Sequence, residues 1–541
     1  GLKVLVLERG RDITPGVDYL GEHAPPWKVP YQGKKPRQLY EEEYPMGGRV
    51  YALSERNRQF WMNEKENPYV IDDKDPFMWI RADVVGGRSL LWGRQTYRWS
   101  EQDFQANKQD GHGIPWPVEY SDISSWYSYV EKFAGINGRA EGLHQLPDSE
   151  FQKPMPWMKI EETINGRLKK KAPDVTLTNA RVAILTEDLP GRSACHYCGP
   201  CHNGCSTGSY FSSNSSTLPA ARATGNMTLK TDALVERLEY DPATGKVARV
   251  HVIDTRTLER QAYSAKIFFL CASTVASTQI LMNSTSEQHP NGLANASGVL
   301  GHYMMDHTLG MSGMGVFLDD MDSYYFGNRP TGLYIPRFRN VGGQDEDADF
   351  LRGYGYQTFA FRMDWGTGYN VKGFGADLKE SLRKPGPWVW GMAGFTECLP
   401  RRENRMYMSD KVDRYGMPQV AFEMKWSDNE VSLRRDAARQ ANRLLKAAGA
   451  VVVMTGEEEI TREDMSLPGE GIHEMGTARM GDDPAESVLN KWNQAHEVPN
   501  LFVTDGSFMT SASCVNPSLT YMAFTARAAD YAVKQLAEGA I

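Results

Sequence analysis

No apolar run in this sequence reaches the roughly 18–20 residues that a membrane-spanning helix requires. The longest, "IFFLCA" from Ile267, has the length of a buried strand. Long basic blocks are also absent, and 60 Lys and Arg stand against 68 Asp and Glu for a formal net charge of −8. That balance argues against nucleic acid or an anionic membrane surface as partner. There is no recognisable signal peptide, internal repeat or low-complexity tract. Cysteine is scarce, at seven in 541 residues, and a chain of this size buries enough core to fold without disulfide staples. At about 150 residues per domain the length allows three or four units, although large α/β enzymes often interleave two. Aromatics, by contrast, are plentiful, with 13 Trp and 25 Tyr. Such residues fill cores and line binding surfaces.

The opening "GLKVLVLERG" reads as a parallel strand over Val4–Leu7, covered on both faces, that ends in Glu8, Arg9 and Gly10. In a dinucleotide-binding βαβ unit an acidic residue in this place holds the adenosine ribose. It follows a G-x-G-x-x-G turn by about 20 residues. That turn and its strand are missing here, and the pattern predicts about 25–35 further residues before Gly1 in the physiological chain.

Further along, 11–80 reads as loops and short elements. Helix signals begin at Ser121 or Asp122 and at Ser427, the latter running to Gly449. "LVERLEYDPATGKVARVHVID" (234–254) is a hairpin signal around Asp-Pro-Ala-Thr-Gly. Residues 140–190 read as a polar loop excursion, and 310–425 as an antiparallel sheet.

The run "CHYCGPCHNGC" places Cys195, Cys198, Cys201 and Cys205 within eleven residues. This C-x₂-C-x₂-C-x₃-C spacing equals that of a bacterial ferredoxin run, whose thiolates hold an iron–sulfur cluster. Zinc is the main rival, though its ligand pairs usually sit far apart. Disulfides or free thiols remain, but so dense a run gives poor bridge geometry. Cys271, Cys398 and Cys514 read as buried apolar residues.

Four blocks in order resemble the glucose–methanol–choline (GMC) flavoprotein oxidoreductases: "VLVLERG" (4–10), "DVVGGRSLLWG" (83–93), "CASTVASTQILMNS" (271–284) and "HEMGTARMG…NLFVTDGSFMTSASCVNPSLTYMA" (473–523). Within that family the likeness is to bacterial sugar and polyol dehydrogenase catalytic subunits, the gluconate, fructose, glucose and glucoside 3-dehydrogenases. "LGHYMMDHTLG" (300–310) resembles a Met-Asp-His stretch of that branch. The resemblance implies an α/β protein with an α+β part: a Rossmann-like FAD-binding domain interleaved with a mostly antiparallel-sheet substrate domain. The expected division gives 1–110, 191–304 (with the cysteine run) and 460–541 to the FAD-binding domain. A loop and helical excursion takes 111–190, and substrate binding takes 305–459.

By the same resemblance, His473 is the catalytic base and Asn516 stands at the family's second catalytic position, filled by His or Asn, as a neutral donor. Alcohol oxidation needs a group to take the hydroxyl proton and a donor to hold the developing alkoxide. The resemblance assigns FAD contacts to Glu8, Arg9, Asp505, Gly506, Pro517 and Thr520, and to Val235 through its backbone. Gly86 and Gly87 would pass close to the isoalloxazine, with Ser89 donating to it. Some family members attach FAD through a His just before the Trp. Here Leu91 precedes Trp92, which implies non-covalent FAD. The branch also implies a [3Fe–4S] cluster on Cys195, Cys201 and Cys205, whose gaps of five and three residues match. Cys198 is either a fourth ligand to [4Fe–4S] or a spare thiol. A cluster passes electrons one at a time, and the branch resemblance implies a cytochrome c acceptor, a small export-assisting subunit and the bacterial periplasm. The alternative is an O₂-using GMC oxidase with a structural metal at the cysteines. A third possibility is a flavoprotein without catalysis in which His473 is structural. Tyr356, Trp365, Trp388 and Trp390 are candidates to stack on a sugar.

Overall fold

Short, largely apolar runs make two separate parallel strand pairs. Val4–Leu7 runs beside Met227–Lys230, and Phe268–Leu270 beside Leu501–Val503. The structure, a computed structural model, describes residues 1–323, 327–363, 373–383, 385–455 and 460–541. The opening strand departs from expectation. Val4 is 52% and Leu5 39% exposed, so this strand is not covered on both faces. The expected hairpin forms from Ala233–Asp241 and Lys246–Asp254, and Arg260–Ser264 adds a third antiparallel strand.

Among the described residues the largest sheet has six strands, all paired antiparallel. Their order is Val452–Thr455, Thr308–Phe317, Trp388–Thr396, Tyr354–Arg362, Leu333–Ile335 and Thr178–Asn179. The last of these comes from the stretch read as a loop excursion. That stretch also holds a helix, Lys159–Lys171. Within 310–425 the sheet does not run continuously, because Arg405–Val412 and Pro418–Glu423 form a separate hairpin.

One face of the sheet is covered by the amphipathic helix Asp428–Ala448. Leu433, Ala437, Ala441, Leu444 and Leu445 form a buried cluster with Tyr354, Tyr356, Trp388, Trp390 and Met392. The Tyr354 hydroxyl donates to Asp436 Oδ2 at 2.5 Å and the Tyr356 hydroxyl to the Ala437 carbonyl at 2.6 Å. This corrects the sugar-stacking expectation: Tyr356, Trp388 and Trp390 are wholly buried against the helix. Trp365 lies outside the described residues. The other face of the sheet looks toward His473 and Asn516.

Helix ends follow local chemistry. Asp428–Ala448 starts at the Ser427 cap with Glu430 closing a capping box, and stops at Gly449 with φ +90°. Helix Tyr120–Ala134 is capped by Glu119 rather than Ser121 or Asp122. Asp122 returns a hydrogen bond from the third position instead. The last helix, Ser518–Glu538, packs on it through Tyr127 and Thr520. Among the described residues no helix is long and apolar enough to cross a membrane.

Candidate active site

A line of four side chains meets at the boundary between the sheet and the Gly-rich turns. The His307 ring places Nε2 2.8 Å from the Ser513 carbonyl and 3.3 Å from that of Ala512. A carbonyl only accepts, so Nε2 carries the proton. Burial holds the His307 pKa down at about 4, so the ring is neutral and Nδ1 is a lone pair. That lone pair lies 2.8 Å from His473 Nδ1, which must therefore donate. His473 Nε2 is left unprotonated and accepts from Asn516 Nδ2 at 3.0 Å. Asn516 is oriented in turn by Gln357, whose Nε2 donates to Asn516 Oδ1 at 2.7 Å. The expected pair, His473 and Asn516, is thus together. His307 and Gln357 complete it, and neither was singled out from sequence, although the Met-Asp-His stretch held the first.

The pKa of His473 is pushed well below the usual histidine value, first by burial, then by His307 and the Arg88 guanidinium. Asp306 holds the turn in place. Its carboxylate accepts the backbone N–H groups of His307 (2.8 Å), Gly469 (2.9 Å), Gly471 (3.1 Å) and His473 (2.9 Å). Burial outweighs these bonds and raises its pKa to about 7. Phe395 closes one side, its ring centroid 5.8 Å from that of His473.

Of the residues expected to meet the cofactor, Glu8, Arg9, Asp505 and Gly506 follow the carboxyl ends of the parallel strands, where open α/β sheets bind ligands. Glu8 follows Leu7, and Asp505 follows Val503 by two residues. The exposed Cys271 and Ala272 follow Leu270. Asp505 accepts from Ser507 N at 3.0 Å and from the Ser277 hydroxyl. Gly506 is a point of close approach: a Cβ there would meet Thr274 Oγ1 at 2.4 Å and the Glu474 carbonyl at 2.5 Å. Gly86 has φ +93°, and a Cβ on it would collide with Asn214 Oδ1, a buried atom with no hydrogen-bond partner. Arg88, in the next turn, holds Glu474 by two bonds of 2.7 and 3.0 Å, tying the Gly86–Gly87 turn to the His473 loop.

Several side chains are engaged elsewhere. The Ser89 hydroxyl donates to the Gly86 carbonyl at 2.5 Å and accepts from Ser213 N, so its one proton is not directed at an isoalloxazine. The Thr520 hydroxyl is buried against Tyr127 at 2.8 Å. Glu8 accepts from Gly10 N at 2.8 Å, and Arg9 donates to Asn67. Val235 lies on the strand whose Ala233 donates to the Glu8 carbonyl. Pro517 caps the last helix. Cys398 and Cys514 are buried as expected, but Cys271 is exposed, because it ends a strand at the opening between the sheets.

Family models for GMC oxidoreductases match 39–309 (the N-terminal model) and 400–525 (the C-terminal model). The chain belongs to the GMC oxidoreductase family. It is therefore an FAD-dependent oxidoreductase acting on CH–OH groups, with the mixed helix and strand architecture of that family. A relative, 2-methyl-1,2-propanediol dehydrogenase of Mycolicibacterium austroafricanum, is 30% identical over 84% of this chain and 81% of its own. The fructose dehydrogenase large subunit of Gluconobacter japonicus is 26% identical over the same shares, 84% and 81%. The C-glycoside 3-oxidase of Arthrobacter globiformis is 33% identical over 28% of each chain. Among solved structures, pyridoxine 4-oxidase from Mesorbium loti superposes with a TM-score of 0.56 at 15% identity, covering 98% of this chain and 94% of that one.

In this GMC chain the four run cysteines are free and half-buried. Among the described residues no group of three or more His, Cys, Asp or Glu side chains is placed to hold a single metal ion. The metal expectation on Cys195, Cys198, Cys201 and Cys205 is therefore not met as a one-ion site. The thiols are near enough to feel one another's charge. Burial pushes up Cys195, Cys198 and Cys201, the last to about 12, and the neighbouring thiols of the run add to each. Gly199 (φ +98°) and Gly204 (φ +110°) let the loop turn within so short a span. The loop also touches the turn near His473: Arg94 lies beside Cys201 and Cys205 while donating to the Ser89 carbonyl at 2.8 Å. His202 Nδ1 is 3.1 Å from the Leu91 carbonyl.

Proposed function

We propose that this chain is a dehydrogenase for a secondary alcohol of a sugar or glycoside, such as the 3-hydroxyl of a glucoside. The observation that carries the reading is the ordered line Gln357, Asn516, His473, His307 and Ser513, which leaves one basic nitrogen, His473 Nε2, unprotonated beside the Asn516 amide. His473 Nε2 takes the hydroxyl proton, and Asn516 Nδ2 donates to the oxygen as negative charge builds on it. FAD, when bound, accepts the hydride that leaves the same carbon. Glu8, Asp505 and the Gly86 and Gly506 turns fit its dinucleotide and ring. The depressed pKa keeps His473 neutral, and thus ready to accept, at ordinary pH.

Cys195, Cys201 and Cys205 would hold a [3Fe–4S] cluster, with Cys198 beside it. The support for this is the C-x₂-C-x₂-C-x₃-C spacing, which is that of an iron–sulfur run rather than of separated zinc ligand pairs. Such a cluster passes electrons singly. A cytochrome c acceptor, a small export-assisting subunit and the bacterial periplasm accord with this reading. The named large subunit among the relatives supports a multi-subunit assembly. Anaerobic titration with a panel of sugars and glycosides tests the core of it. Bleaching of the flavin by a sugar is expected, and a flavin that no sugar or polyol reduces sinks the reading.

A further inference from the structure

The face of the sheet turned toward His473 carries more than the catalytic pair needs. Gln357 is fixed on that face by its bond to Asn516. Side chains alternate along a strand, so Phe359 and Phe361 share the face with Gln357, at about 7 and 14 Å along the chain. Their neighbours point the other way: Thr358 is 3% and Ala360 8% exposed, whereas Phe359 and Phe361 are 36% and 37% exposed. The two rings lie within 17° of parallel with centroids 6.1 Å apart, like tiles on one surface. Gly391 stands opposite Phe359 in register on the neighbouring strand. A Cβ on Gly391 would meet the Phe359 ring at 2.4 Å, so the bare backbone is what lets that ring lie flat across the strand. Cross-strand partners on the same face are Val389, Gly391, Ala393 and Phe395. Among the described residues, those on this face of the two strands are all uncharged. Paired, exposed aromatic rings beside a reaction centre are a binding feature more than a packing one.

We propose that this ledge seats an uncharged aromatic or broad apolar group of the substrate, the aglycone of a glycoside whose sugar ring lies at His473 and Asn516. The assignment rests on the sugar reading above and adds the class of glycoside. Face-on contact with two rings selects flat aglycones, and the absence of charge excludes carboxylated or phosphorylated ones. The sugar is oxidised while the aglycone keeps its bonds.

The test uses the FAD-loaded protein and the anaerobic rate of flavin reduction by phenyl and methyl β-glucoside. The phenyl glucoside is expected to be favoured by about tenfold in rate over dissociation constant, as stacking on two rings implies. In Phe359→Ala/Phe361→Ala this preference should fall to near one. Phe359→Leu/Phe361→Leu, which keeps the volume, guards against a variant that fails to fold and should lose most of the preference. Equal values for the two glucosides in the unaltered protein, or a preference that survives in both variants, overturns the ledge. If no sugar reduces the flavin, the sugar reading fails by itself. The ledge is then judged by titrating the flavin spectrum with the same two glucosides, and equal affinities overturn it.

Discussion

An imidazole alone has no strong preference for which nitrogen carries the proton, and at His473 the preference comes from outside the ring. Two carbonyls hold the His307 proton on Nε2, which turns the His307 Nδ1 lone pair toward His473 and frees His473 Nε2. Replacing His473 with Ala should lower turnover by on the order of 10²–10⁴ while FAD stays bound. Turnover within a factor of two of the unaltered protein would remove it as base. His307 is a positioning residue, so its loss acts through the tautomer. His307→Ala should slow flavin reduction by about 10²-fold. His307→Gln, whose amide oxygen can accept the same N–H, should recover part of that rate. Equal damage in both variants would mean that His307 only fills space. The depressed His473 pKa has a further consequence. Activity should hold as pH falls through the ordinary histidine value of ~6.5 and fail only at lower pH, so an acid limb centred near ~6.5 would contradict the assignment.

Elements were legible where their signals are local. The Asp428–Ala448 helix has a serine cap, a glutamate three residues on and a terminal glycine, all within its own sequence. Ser427→Ala should cost about 1 kcal/mol of stability, read as a fall in Tm without loss of FAD affinity. The Lys159–Lys171 helix went unread because lysines and neighbouring prolines mask it. Ile160, Ile164 and Leu168, at four-residue steps and all buried, were the signal that could have found it. The edge strand Thr178–Asn179 has two residues and pairs with Tyr334 and Leu333. No pattern in so short a segment can announce a partner about 155 residues away. The cysteine loop is an element of the same local kind. Cys201→Ser and Cys205→Ser should each strip iron and sulfide from the purified protein, whereas Cys198→Ser should keep three irons. Full loss in Cys198→Ser would instead make it a fourth ligand.

Across the molecule, the cysteine loop packs on the Ser89–Leu91 turn: His202 Nδ1 lies 3.1 Å from the Leu91 carbonyl, and Arg94, which neighbours Cys201 and Cys205, donates to the Ser89 carbonyl. Acid precipitation should release the flavin into the supernatant, since Leu91 stands where a linking histidine would be. Yellow colour left in the pellet would contradict that. His307 also links pH to folding. Its pKa is about 4 when folded against ~6.5 unfolded. The unfolded chain therefore binds a proton first, and stability should decline as pH falls from about 6.5 toward 4.

The sequence alone determined the family, the fold class, the pair His473 and Asn516 and the peculiarity of the cysteine run. Each rests on residues that are close in the chain or on blocks in a set order. Tertiary structure alone decided which way Asn516 faces and which nitrogen of His473 is unprotonated. It also decided that Tyr356, Trp388 and Trp390 belong to the core while Phe359 and Phe361 face the site. Those outcomes depend on partners 26 to 166 residues distant. A hydrogen bond's direction and a strand's inward face are properties of what lies opposite, which a linear pattern does not contain.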